Sequence, residues 1–103
     1  MERDQALKFM NDLLKLMLQK NGSDLFITAN FPPAIKIDGK IVPQWNQQLT
    51  HTHPAELARV IMSDRQAQEF EATKECNFAI SPAGIGRFRA NAFIQQGQVG
   101  LVL

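Results

Sequence analysis

Leu7, Met10, Leu13, Leu14, Met17 and Leu18 recur at spacings of three and four residues, with Lys8, Asp12, Lys15 and Gln19 between them. That period predicts an amphipathic helix of about four turns. Asp4 is its candidate N-cap, and Asn21-Gly22 is a stop signal. Residues 24–28 predict a short strand with Leu25 and Ile27 on one face. Pro32-Pro33 interrupts it, since proline cannot donate to a ladder. Ile35-Lys36-Ile37 and Ile41-Val42 flank Asp38-Gly39, the pattern of a two-residue hairpin turn.

Residues 44–52 are polar and read as a loop. Pro54 suits the first turn of a second helix, with Glu56 beside it and Leu57, Val60 and Ile61 as its apolar face. Ser63-Asp64-Arg65-Gln66 is a capping box opening a third helix that runs to about Lys74. Cys76, Phe78 and Ile80 then alternate with Asn77, Ala79 and Ser81, and Pro82-Ala83-Gly84 makes a turn. From Gly86, Phe88, Ala90, Ala92 and Ile94 share one strand face; Arg87, Arg89, Asn91, Phe93 and Gln95 share the other. Gln96-Gly97 turns the chain into a last strand carrying Val99, Leu101 and Leu103.

The predicted order is α-β-β-β-α-α-β-β-β, an α+β fold with an antiparallel sheet and helices on one face. The pattern stops inside an apolar strand without a terminating signal. We therefore expect residues 1–103 to be one domain of a longer protein.

The length fits one domain, large enough to bury roughly 60–70% of its unfolded surface without disulfides. Eleven basic and ten acidic residues give a formal charge of +1, so nothing in the charge suggests an obligate polyanionic partner, and no nucleic acid is expected. The single cysteine, Cys76, cannot form an internal disulfide and points to a reducing compartment. Neither a signal peptide nor a membrane span can be drawn over the charged start and the polar-broken apolar stretch after it. The expected location is the cytoplasm.

Candidate chemistry is sparse. No glycine spacing matches a phosphate-binding loop; Gly84-Ile85-Gly86 precedes a strand and reads as a turn. His51 and His53 fall short of the four ligands of a zinc site, and Cys76 alternates with core positions, so no metal is expected. Glu69, Glu71 and Glu75 read as a solvated face rather than a paired-carboxylate site. Asp24, beside a glycine-serine turn, reads as a turn or capping residue. Arg87 and Arg89, two apart on one strand with Asn91 continuing the row, stand out. Two guanidinium forks on a rigid strand match phosphate geometry, and an ordinary solvent-facing strand face explains them equally well.

Three blocks carry a resemblance. They are Gly22-Ser23-Asp24-Leu25-Phe26-Ile27 with Pro32-Pro33 and Ile37-Asp38-Gly39-Lys40-Ile41; Glu75-Cys76-Asn77-Phe78-Ala79-Ile80; and Gly86-Arg87-Phe88-Arg89-Ala90-Asn91-Ala92-Phe93. In this order and spacing, over nearly the whole chain, they resemble the amino-terminal domain of the type IV pilus retraction ATPases, the PilT/PilU family. The Cys-Asn-Phe-Ala-Ile string is more similar to the PilU branch, since PilT proteins tend to carry an acidic residue there.

The resemblance implies a PAS-like amino-terminal domain at residues 1–103, followed by a RecA-like ATPase domain that lies outside this sequence. It implies a homo-hexameric ring that retracts pili and drives twitching motility at the cytoplasmic face of the inner membrane. ATP and Mg²⁺ would sit between the two domains. Further implied partners are the paralogous retraction ATPase and the pilus inner-membrane platform protein. Arg89 matches the family arginine near the nucleotide phosphates, Arg87 matches its neighbour, and a further family arginine falls just after Leu103. The phosphate loop, acidic boxes and histidine box belong to the second domain, so this chain alone is expected to be non-catalytic. The Thr50-His51-Thr52-His53 run departs from the family's usual linker, and no function is attached to it. The rival expectation is a PAS-like sensor or interaction domain binding a small ligand, for which the apolar core positions offer no polar anchor.

Overall fold

The first helix, α1 (Arg3–Gln19), buries Ala6, Met10, Leu13, Leu14 and Met17 as one stripe. In this computed structural model, which describes all 103 residues, Leu7 and Leu18 lie on the flanks of that stripe and stay exposed, contrary to the expected six-residue face. Spacing alone does not say where a 100°-per-residue stripe is centred. Asp4 is not the N-cap. Glu2 takes that position without a side-chain bond, and Asp4 sits in the first turn, where its charge meets the positive helix end. The stop signal works as read. Asn21 adopts φ 53°, Gly22 N–H donates to Met17 O at 2.8 Å, and Asn21 N–H donates to Leu18 O at 3.2 Å.

The strands β1 (Asp24–Thr28), β2 (Ala34–Ile37) and β3 (Lys40–Pro43) follow in antiparallel pairs. Asp38 and Gly39 both have positive φ (49° and 78°), as a two-residue hairpin requires. The loop over residues 44–52 is less polar in role than in composition. Leu49 is buried and exchanges backbone bonds with Asn30 and Phe31, and the Trp45 ring tilts against Phe9 at 5.4 Å. Helix α2 (His53–Ile61) buries Pro54, Leu57, Ala58 and Val60. Helix α3 (Asp64–Thr73) opens on the capping box in full: Gln66 N–H donates to Ser63 Oγ at 3.1 Å, and Ser63 N–H donates to Gln66 Oε1 at 2.9 Å.

β4 (Glu75–Ile80), β5 (Phe88–Gln95) and β6 (Gln98–Val102) complete the expected element order. The six strands form one antiparallel sheet in the order β3-β2-β1-β6-β5-β4. One face, with Leu25, Ile27, Ile35, Phe78, Ala90 and Leu101, shares a single apolar core with all three helices. The other face carries no helix and holds Asp24, Phe26, Arg89, Asn91 and Phe93. The α+β expectation therefore holds, with an arrangement compatible with a PAS-like fold. No helix is long and apolar enough to cross a membrane.

Candidate functional site: a groove on the open sheet face

β6 lies between β1 and β5; Val102 pairs with Phe26 and Asn91, and Leu103 exchanges both backbone bonds with Leu25. Around Val102 and Leu103, the last residues of the sequence, lies a groove of about 410 Å³ that Met17, Phe88 and Ala90 also line from the core side. Ser23 and Asp24 form one wall; Arg87, Arg89, Asn91 and Asn77 form the other.

Arg89 is where the alternation places it, exposed on β5 opposite Ala79. Arg87 is also exposed, but it precedes the strand rather than belonging to it. β4 ends at Ile80, before Pro82, so pairing begins only at Phe88 and Arg87 follows the turn closed by Ile85 N–H to Pro82 O at 3.2 Å. Neither guanidinium takes part in any of the three ion pairs, which join Met1 to Glu56, Lys8 to Asp12 and Arg59 to Asp64. Asp24 faces the arginines across the groove, its carboxylate held only by the Ser23 hydroxyl at 3.4 Å. The fold thus gathers two free cationic forks, one carboxylate and two carboxamides.

Asn77 is the residue sequence reading did not connect to this site. It stands directly opposite Asn91 on β4. Alternation puts it on the open face, but its partner depends on the β4–β5 register. Asn91 Oδ1 is buried and has no hydrogen-bond partner, although Asn77 is its register neighbour.

The other candidates lie apart from the groove. His51 is exposed, and His53 Nδ1 accepts the Thr50 N–H at 3.2 Å, a local turn contact. Glu69, Glu71 and Glu75 are all exposed, as a solvated face requires. Cys76 is buried in β4, and burial, followed by the Glu69 charge, pushes its thiol pKa up.

No family model matches the chain. Over 91 residues it is 47% identical to the type IV pilus ATPase PilU of Pseudomonas aeruginosa, which covers 88% of this chain and 24% of that protein. Over 93 residues it is 34% identical to the type IV pilus retraction ATPase PilT of the same organism, covering 90% and 27%. The chain belongs to the PilT/PilU family. It corresponds to the amino-terminal region of these ATPases and spans about a quarter of their length. The crystal structure of the pilus retraction motor PilT with bound ADP matches it with a TM-score of 0.83 at 32% identity, over 89% of this chain and 27% of that one. The Legionella pneumophila ATPase DotB shares the fold, with a TM-score of 0.76 at 21% identity over 92% of this chain and 27% of that one. PilT/PilU membership places the groove on the region that precedes the larger remainder of these ATPases.

Proposed function

We propose that this chain is the non-catalytic amino-terminal module of a hexameric type IV pilus retraction ATPase, working at the cytoplasmic face of the inner membrane. Its role is to contact neighbouring subunits in the ring and to close over ATP and Mg²⁺ held mainly by the domain that follows. The observation that carries this reading is the pair of unpaired guanidinium groups, Arg87 and Arg89, on one rim of an open groove. Phosphate oxygens only accept hydrogen bonds, and an arginine fork only donates them, so the two match without any rearrangement of the strand. The groove fits a contributor to a phosphate site rather than a whole one, because it has no backbone cradle of its own. An ADP-bound PilT structure among the relatives supports a nucleotide as the ligand.

Bound ATP supplies the phosphoanhydride. The chain's own residues orient and neutralise: Arg89 from the rigid strand, Arg87 from the turn before it. Steady-state ATP turnover of the full-length protein carrying Arg89→Ala tests the reading. Turnover should fall on the order of a thousandfold, the usual weight of an arginine on a transferring phosphoryl group. Unchanged turnover overturns the phosphate-contact role.

A further inference from the structure

Residues 81–87 join β4 to β5 outside any ladder, because pairing stops at Ile80 and Phe88. Their backbone bonds are local: the Ile85 and Gly86 N–H groups donate to Pro82 O at 3.2 and 3.5 Å. Ser81, Ala83, Gly84, Gly86 and Arg87 are exposed, and only Pro82 and Ile85 are partly covered. Ile85 packs on the apolar core that the sheet shares with all three helices. A glycine with positive φ stands on each side of it, Gly84 at 75° and Gly86 at 152°. Glycine restricts the backbone least of all residues, so this turn does not hold its own shape.

Arg87 follows directly. Phe88, buried and paired with Ile80, fixes it from one side. On the other side lies Gly86, and the next side chain that grips the protein is Ile85. Helix α1 backs this spot, with Leu18 Cδ1 3.8 Å from where a Cβ on Gly86 would stand. We infer that Ile85 is a positioning residue for Arg87: by seating the turn on the core, its side chain sets where the Arg87 guanidinium is presented. This rests on the reading of Arg87 as a phosphate contact. Arg89 needs no such device, since it stands inside the ladder opposite Ala79.

The test is steady-state ATP turnover of the full-length protein carrying Ile85→Ala, Arg87→Ala and both, with Ile85→Leu as the conservative variant. Ile85→Ala should lower kcat by about tenfold to a hundredfold, the scale of a roughly 1 Å misplacement of a positioned group. The double variant should be no slower than Arg87→Ala alone, because Ile85 acts through Arg87. Ile85→Leu keeps the volume of the anchor and should keep turnover near the wild-type level. Melting curves of each full-length variant separate placement from folding. Where Ile85→Ala fails to fold, Ile85→Val, one methylene smaller, carries the same comparison. Normal turnover in Ile85→Ala beside a slowed Arg87→Ala overturns the inference and leaves the phosphate reading standing. Normal turnover in Arg87→Ala removes that reading and the inference together. Penalties that multiply in the double variant also overturn the inference, since they mark a structural role that does not pass through Arg87.

Discussion

Phe93 of β5 lays its ring across Gly100, its register partner on β6. A Cβ on Gly100 would stand 2.5 Å from Phe93 Cε2 and 2.6 Å from Cζ, closer than real carbon contacts allow. The glycine is therefore a seat for the ring on an otherwise open face. Gly100→Ala should push the ring outward and destabilise the chain by about 1–2 kcal/mol, the cost of modest overpacking. Thermal melts of the chain should show a fall of roughly 4–16 °C for that range. An unchanged melting temperature would show that the ring does not rest there.

Leu14 and Leu18 are four residues apart on α1 and should behave in opposite ways. Leu14 is fully buried; Leu18 is 49% exposed. Leu14→Ala should cost about 2–5 kcal/mol as a core cavity, and Leu18→Ala within about 0.5 kcal/mol as a surface change. Urea titrations of the two variants decide it, and similar losses would contradict the burial pattern.

The Cys76 thiol should be inert in the folded chain. Its folded pKa is raised, so the protonated thiol is favoured by folding. The stability this contributes is present below the ordinary thiol pKa and is lost as pH climbs through the folded value. A thiol-reactive dye at pH 8 should label the chain only after denaturation, and Cys76→Ala should flatten the alkaline limb of its stability profile. Rapid labelling of the native chain would contradict both expectations.

The chain by itself should bind ATP and Mg²⁺ more weakly than micromolar. Arg87 and Arg89 present donors on one rim only, whereas phosphates in loop-type sites are cradled from several sides by backbone amides and a lysine. Calorimetric titration measures this directly, and micromolar affinity would place the principal phosphate site within these residues.

Features set by a few neighbouring residues were legible in the sequence. Ser63 and Gln66 are three apart and need nothing but each other to cap α3. Asp38-Gly39 fixes its own turn, and alternation put Arg89 and Asn91 on the open face. What depends on distant pairing was not legible. No local signal brings Asp24 of β1 to face Arg89 of β5, because β6 must first lie between them. The Asn77–Asn91 pair depends in the same way on register. Arg87 fell outside its strand because Pro82 ended the neighbour's ladder, an effect of the partner strand rather than of Arg87. Leu49 was hidden in a polar stretch, since one apolar residue has no period.

The sheet order has a consequence for how the domain is made. β1, β2 and β3 form one antiparallel unit and β4 and β5 another; β6, the last element of the sequence, is the only strand that joins them. Leu25 and Leu103 exchange both backbone bonds, at 2.9 and 3.0 Å, across about three quarters of the chain. On a ribosome, the two units therefore wait as separate hairpin pieces until residues 98–103 emerge. Such long-range closure is the slow kind of step. A pause in synthesis just before Gln98 leaves the facing edges of β1 and β5 bare, and bare edges are what other unfinished chains can pair with.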